Sequence, residues 1–374
     1  MGIGHMLKQY HWKNYSFLLL FTVMFLCALG TMFIYAAKPE FVTKQLLGVI
    51  LCFFTIIVIS LIDYHFILKF IWPLYFANII ILACVKLFGK NVGGATRWFD
   101  LGPLGTIQPS EFSKIILILF VAYYIERHKE EFHKWKTLFK LACYCFGSIV
   151  LILIETDLST SIDITLILCS MVFIAGIHWK KILTIIGTII PCIGGLLFYA
   201  MSPNPKFIPP YMINRIRSFV DPSQNHDAGA YQQINSVMAI GSGQLKGKGL
   251  FSDSLGTVRD AKLVSEQQTD FIFSIVGEMT GFIGCLFVIV LLLFIALQCI
   301  GISRKAKDIS GQLIAIGIGS LFCFQSFLNI GVATQILPNT GLPLPFVSYG
   351  LSSLMGSAIG IGLVINIGLQ RRKF

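Results

Sequence analysis

Charge is scarce in this chain. Of its 374 residues only 13% are Asp, Glu, Lys or Arg, against roughly 25% in soluble domains, so an ordinary solvated enzyme surface is excluded. Histidine is also sparse: seven residues, unclustered, with no ligand set at metal-binding spacing. The ten cysteines are scattered through apolar runs (Cys27, Cys52, Cys84, Cys169 and Cys192 among them), and the closest two, Cys143 and Cys145, have a single residue between them. That is neither a zinc nor a redox spacing, and no disulfide framework is present; they read as small hydrophobes. There is no Asp-x-Asp pair of the kind soluble sugar-nucleotide transferases use to hold a metal. Gly241-Ser242-Gly243-Gln244-Leu245-Lys246-Gly247-Lys248-Gly249 has the glycine density of a phosphate loop, but Ser242 stands where the first loop glycine belongs and Gly249 follows the lysine instead of Ser or Thr. It fails the dinucleotide pattern as well, because Lys246 takes the third glycine's place and no strand precedes it. No organic cofactor is implied.

What the chain has is apolar length. Hydrophobic residues make up 55% and the mean hydropathy is +0.78. Runs of the roughly 20 residues that cross a bilayer recur throughout: Tyr15–Ala37, Lys44–Ile62, Phe66–Phe88, Gln108–Ile125, Thr137–Ile154, Ser159–Ile177, Ile182–Met201, Asp270–Ile300, Leu313–Ala333 and Tyr349–Leu369. The expectation is an all-α, polytopic membrane protein of about ten transmembrane helices, forming one domain over 1–374. Met1–Lys13 is polar, and the first apolar run is too long for a signal-peptide core, so it reads as a first transmembrane helix. The eighth run exceeds a membrane's thickness and is expected to tilt or project into water.

Basic residues set the expected orientation. Lys8, Lys13, Arg127 to Lys140, Lys180, Lys181, Arg304 to Lys307 and Arg371 to Lys373 fall in one set of loops, while Glu155 and Asp157 fall in the other. The positive-inside rule then places both termini in the cytoplasm and the segments Asn91–Ile107, Ser202–Thr269 and Gln335–Ser348 outside. The net charge of +11 is mostly this bias and calls for no nucleic-acid partner.

Polar groups at membrane depth are costly, so each asks for a reason. Glu111 and Lys114, three apart on the fourth helix, share one face; a packing ion pair and a cavity lining are both open. Asp157, followed by Ser159, Thr160 and Ser161, reads first as a helix cap, and Asp163 faces a wet cavity or finds a basic partner. Leu337-Pro338-Asn339-Thr340-Gly341-Leu342-Pro343-Leu344-Pro345-Phe346-Val347-Ser348-Tyr349-Gly350 cannot be a continuous helix. Apolar and uncharged, it fits a re-entrant segment lining a cavity better than a stiff exterior turn. The Gly-rich Ser202–Thr269 stretch, between helices 7 and 8, is far longer than a connection needs. It ends in Asp270, at the mouth of an apolar helix. On its own, Asp270 reads as an N-cap or first-turn acid.

Taken together, several segments resemble a known family. Gly94-Ala95-Thr96-Arg97-Trp98, Leu101-Gly102-Pro103 with Gln108-Pro109-Ser110-Glu111-Phe112-Ser113-Lys114, Tyr231-Gln232 with Ala239-Ile240-Gly241-Ser242-Gly243, Thr269-Asp270-Phe271-Ile272-Phe273 with Glu278, and Pro338 to Gly350 with Ser348 follow, in order, the pattern of the SEDS (shape, elongation, division and sporulation) proteins. The resemblance covers nearly the whole chain, and the short termini look like the elongation-type, RodA-like members. It implies a peptidoglycan glycosyltransferase that polymerises lipid II into glycan strands at the outer face of the cytoplasmic membrane, alongside a class B penicillin-binding protein. Lipid II and the nascent strand are the implied substrates.

The resemblance assigns Asp270 as the essential acid. Converting an α-linked sugar pyrophosphate into a β-1,4 glycoside is an inversion, so one in-line displacement suffices, with Asp270 as general base and cations facing the leaving pyrophosphate. Arg97, Lys114, Arg215, Arg217, Lys246, Lys248, Arg259 and Lys262 are the available cations, Lys114 and Arg97 first. Gln108, Glu111, Asp157, Gln232, Glu278 and Ser348 complete the candidate substrate site, and Mg²⁺ or Mn²⁺ is a candidate bridge to the pyrophosphate. The chain departs from the family where Pro-Asp-Leu-Gly-Thr becomes Thr156-Asp157-Leu158-Ser159-Thr160, where Val264-Ser265-Glu266-Gln267-Gln268 replaces Leu-Pro-Glu-x-His, and at Gln244 and Leu351, which take the places of glycines. A lipid II flippase and a non-catalytic scaffold for the transpeptidase are the alternatives.

Overall fold

A computed structural model describes residues 10–92, 95–100, 102, 105–200, 213, 217, 228–249 and 266–370. The helices, in chain order, are α1 (Phe17–Ala37), α2 (Val42–Leu61), α3 (Tyr64–Lys69), α4 (Ile71–Phe88), α5 (Pro109–Arg127), α6 (Trp135–Ile154), α7 (Leu158–Ile174), α8 (Trp179–Ala200), α9 (Ala228–Ser242), α10 (Ile272–Ser303), α11 (Ile309–Ala333) and α12 (Leu351–Leu369). Each expected span coincides with one of these helices except the third, which is covered by two, α3 and α4. Seven of them are long and apolar enough to cross a bilayer. Large side chains such as Phe21, Phe54, Phe146, Phe282 and Leu293 stay exposed around the bundle, as a lipid-facing perimeter requires. The protein is an integral membrane protein.

The order of burial explains the layout. α5, α11 and α12 are the most enclosed helices; α11 packs against α10, α7 and α5, and α12 runs along α2. The third span is divided: α3 stops at Phe70 and α4 restarts at Ile71, with Pro73 in its first turn, where a missing N–H costs nothing. At this end of the bundle Asn366 of α12 accepts from the Tyr64 backbone N–H and donates to the Ser60 carbonyl and Tyr10 hydroxyl. His65 sits between Asp63 and Asp308, at 2.9 and 2.5 Å. These contacts tie α2, α3, α11 and α12 together at the end remote from Asp270.

Three features were not expected from the sequence. The Asn91–Ile107 loop contains a small antiparallel sheet of order β1-β2-β3, formed by β1 (Lys90–Val92), β2 (Ala95–Asp100) and β3 (Thr106–Ile107). The large loop carries α9, which buries Gln233, Ser236 and Ala239 at helical spacing. Gln233 donates to the Val332 and Leu337 carbonyls, and Ser236 to that of Ala333.

The third feature is a break in α10. The helix spans 32 residues, about 48 Å at 1.5 Å per residue, but Gly281 lies at φ 65°, ψ −163°. The break removes the bonds that Phe282 and Ile283 N–H would make to the Glu278 and Met279 carbonyls. The turn after α9 replaces all four partners. Phe282 and Ile283 donate to the Gln244 and Leu245 carbonyls, and Lys248 and Gly249 N–H donate to those of Glu278 and Met279. Only glycine fits at 281, since a Cβ there would sit 2.5 Å from the Gly247 nitrogen. The glycine-dense stretch that failed as a phosphate loop is thus a backbone splice. The excess length of the eighth run is resolved by this break within the helix.

Candidate active site

Asp270 does not cap α10. The N-cap is Phe271, with no side-chain capping bond, so the structural role the sequence allowed for this carboxylate is unfilled. The residue is half-buried, and its backbone is held from three sides. Asn329 of α11 donates to the Asp270 carbonyl at 2.8 Å, Ser348 donates to the Thr269 carbonyl at 2.6 Å, and Tyr349 N–H donates to the Gln268 carbonyl at 2.8 Å.

The Pro/Gly segment 338–350 forms the facing wall. It is irregular and largely enclosed: Leu342, Leu344, Phe346, Val347 and Ser348 are all buried. Buried carbonyls of irregular backbone need donors, and α11 supplies them. Gln325 donates to the Pro343 carbonyl at 2.8 Å and Asn329 to that of Leu342 at 2.6 Å. Within the segment, Leu344 N–H donates to the Ser348 hydroxyl at 2.7 Å. Gly341, at φ 77°, brings the segment against the acid: a Cβ there would lie 3.0 Å from Asp270 Oδ2.

Behind this wall lies the charge cluster of α5. Lys114 Nζ is 3.0 Å from Glu111 Oε1, 2.8 Å from Gln325 Oε1 and 3.8 Å from Asp163 Oδ2. Asp163 therefore has the basic neighbour expected of it, and Glu111 and Lys114 form the expected pair. The ammonium is only 1% exposed, which makes it a partner of these three groups and turns it away from open space. Gln325 carries the connection from Lys114 to Pro343 and so to the segment beside Asp270.

Asp157 caps α7, accepting from Thr160 N–H, and its carboxylate also takes the Ser159 and Thr160 hydroxyls and the Gln108 amide at 2.9 Å. Ser159 donates to the Thr340 carbonyl at 2.5 Å, and the Ser352 hydroxyl accepts from Gln108 N–H at 3.0 Å. Arg97, on β2, is buried and turned inward: Nε donates to the Glu155 carbonyl at 3.2 Å, and Nη2 to the carbonyl and hydroxyl of Thr156. Its Nη1 lies 3.9 Å from Asp157. Arg97 thus clamps the small sheet onto the α6–α7 turn.

That turn holds an unexpected group. Glu155 is 1% exposed, and among the described residues neither carboxylate oxygen has a hydrogen-bond partner. Burial pushes its pKa up to about 8, helped by the negative charge of Asp157 and opposed by Arg97 and Lys86. Thr156, beside it, sits at φ 67°. Proline's ring fixes φ near about −65°, so the family's proline at this position could not hold this turn.

The remaining candidates are placed less centrally. Gln232 accepts from Asn339 at 3.4 Å, next to the Pro/Gly segment. Glu278 lies two turns along α10, paired with Lys248 at 2.8 Å. Lys246 is exposed, and Arg215, Arg259 and Lys262 lie outside the described residues. Gln325, Asn329, Ser352 and Glu155 belong to the site but were not singled out from the sequence. Two amides four residues apart inside an apolar span, Gln325 and Asn329, were the available signal.

The arrangement is that of a known family. The family model for the cell cycle proteins FtsW, RodA and SpoVE matches residues 9–373. The chain is 34% identical over 300 residues to the probable peptidoglycan glycosyltransferase FtsW of Buchnera aphidicola, covering 79% of this chain and 81% of that protein. It is 30% identical over 377 residues to the protein of the same name from Bacillus subtilis, covering 96% and 91%. Among solved structures, the crystal structure of Thermus thermophilus rod shape determining protein RodA superposes with a TM-score of 0.69 at 25% identity, over 97% of this chain and 99% of that one. A chain from a structure on the coordination of polymerization and crosslinking by a peptidoglycan synthase complex gives a TM-score of 0.81 at 24% identity, over 96% and 98%. Both FtsW-named and RodA-named proteins match, so elongation-type and division-type membership are not separated. The chain belongs to the FtsW/RodA/SpoVE family of cell cycle proteins, the SEDS family.

Proposed function

We propose that this protein is a peptidoglycan glycosyltransferase that polymerises lipid II, with Asp270 as general base. The observation that carries the reading is that Asp270 is anchored through its backbone while its carboxylate serves no helix cap. An acid held this way, with Gly341 of the irregular wall beside its Oδ2, has its position set by the surrounding elements, as a reacting group requires. Membership of a family whose relatives are named peptidoglycan glycosyltransferases supports the substrate class.

In this reaction the acceptor sugar's hydroxyl gives its proton to the Asp270 carboxylate and its oxygen attacks the donor's anomeric carbon. The bond from that carbon to the pyrophosphate oxygen breaks, and configuration inverts in one step. Lys114 and Arg97, first choices from the sequence for the leaving group, act here as positioning residues, because their donors are directed into the fold. Contact with the pyrophosphate then falls to cations of the loop, among which Lys246 is exposed. Among the described residues no three His, Cys, Asp or Glu gather into a metal site. Glu266, exposed near Asp270, would be the residue to help hold a Mg²⁺ or Mn²⁺, which would supply charge neutralisation to the leaving pyrophosphate.

The loop 202–269 and the segment 335–348 lie on the outer face in this proposal, with both termini cytoplasmic, as the basic residues between Arg127 and Lys140 favour. The segment serves as a re-entrant wall. A class B penicillin-binding protein is the proposed partner, in line with the synthase complex of similar fold. The test is polymerisation of labelled lipid II by the purified protein, with and without that partner, beside Asp270→Asn. A glycan ladder that vanishes in the folded variant is expected. Undiminished function in the Asn variant points instead to a flippase or a scaffold.

A further inference from the structure

We propose that a small cavity between the starts of α2 and α12 binds the phosphate group of an anionic membrane lipid. The cavity has a volume of about 140 Å³ and is lined by Thr43, Lys44, Gln45, Leu47, Gly48, Tyr349, Leu351 and Leu354. Whole-ligand pockets run to roughly 300–1,000 Å³, so it has room for a headgroup fragment and none for a disaccharide-peptide.

Its chemistry is one-sided. Lys44, Thr43, Gln45 and Tyr349 all carry N–H or O–H donors, and no carboxylate lines it. Leu47, Leu351 and Leu354 form an apolar floor. A donor set above an aliphatic floor matches a phosphate joined to hydrocarbon. The second observation is Gln45. It is 1% exposed, and its Nε2 has no hydrogen-bond partner among the described residues. A buried amide donor left unmade is costly, and an entering phosphate oxygen satisfies it. Lys44 is exposed at the rim, placed to add its charge without itself being desolvated.

The location gives the site a consequence. Tyr349 packs at a tilt against Phe41 with ring centroids 4.8 Å apart, and its backbone N–H holds the Gln268 carbonyl, two residues before Asp270. A phosphate in this cavity braces the residue that anchors the turn leading to the acid. The inference needs no assumption about the reaction at Asp270.

The experiment is native mass spectrometry of the full-length, delipidated protein. The probes are phosphatidylglycerol, a polyprenyl monophosphate and, as the phosphate-free control, diacylglycerol. Both phosphate lipids are expected to be retained over diacylglycerol by tenfold or more, since one charge-assisted bond is worth roughly that much. Lys44→Glu and Gln45→Leu should each remove most of this preference. Lys44 is exposed, so its variant keeps the fold even where Gln45→Leu does not. Retention of the polyprenyl phosphate alone assigns the site to the carrier lipid; retention of both assigns it to anionic headgroups in general. Equal retention of all three lipids, or a preference that survives both substitutions, overturns the proposal.

Discussion

The side-chain amide of Asn329 donates one hydrogen bond to the Asp270 carbonyl and a second to that of Leu342, at 2.8 and 2.6 Å. One residue of α11 therefore sets the distance between the acid and the wall it faces. Asn329→Leu leaves both carbonyls without their donor, at about 1–3 kcal/mol for each buried group. The expected result is a folded protein whose turnover falls by roughly 10- to 100-fold with little change in KM, read from single-turnover lipid II polymerisation. Wild-type turnover in this variant would show that Asp270 is positioned by other contacts.

Lys114→Ala should lower polymerisation more than Lys246→Ala. Lys114 is enclosed between Glu111, Gln325 and Asp163, and stripping the cation from a buried pair costs about 3–5 kcal/mol. Lys246 is exposed, and its loss should change stability by no more than about 0.5 kcal/mol. Turnover and detergent melting are measured together for both variants. Undiminished turnover in folded Lys114→Ala would detach the α5 cluster from the reaction.

Gln244, where the family carries glycine, is held at φ 50° in the splice that mends α10. A side chain pays about 1–2 kcal/mol for this conformation, partly offset by the greater freedom glycine brings to the unfolded chain. Gln244→Gly should stabilise the protein by about 1 kcal/mol, seen as a higher melting midpoint. A lower midpoint would mean that the Gln244 side chain contributes more than its backbone costs.

Glu155 gives stability a pH dependence. Its pKa rises on folding from 4.5 to about 8, so the folded state keeps a proton that the unfolded state has released. Stability therefore falls as pH rises from about 4.5 towards 8. Glu155→Gln should flatten the melting profile across that window and raise the midpoint at pH 8. A profile with the same slope in both proteins assigns the pH dependence to other groups.

The helices were legible because membrane spans depend on length and composition, both local properties. Each apolar run, from Tyr15–Ala37 to Tyr349–Leu369, became helix within a few residues. The Asp157 cap and the Glu111–Lys114 pair were legible for the same reason, since their partners lie within three residues. The directions of Arg97 and Lys114 were not. Both are matched positions with a free-looking charge, yet their acceptors, at Glu155, Thr156 and Gln325, come from 58 to 211 residues away. The break at Gly281 was hidden too, because its four replacement partners lie in a different segment. A glycine in an apolar run announces nothing until the chain that approaches it is known.

That break divides α10 mechanically. The turn 244–249 is bonded to both sides of it: Lys248 and Gly249 N–H hold the Glu278 and Met279 carbonyls, and Phe282 and Ile283 N–H donate to the Gln244 and Leu245 carbonyls. The two halves of α10 are therefore coupled through the chain that follows α9 and not through a continuous ladder, so the half that begins beside Asp270 is fixed by the large loop as much as by the bundle.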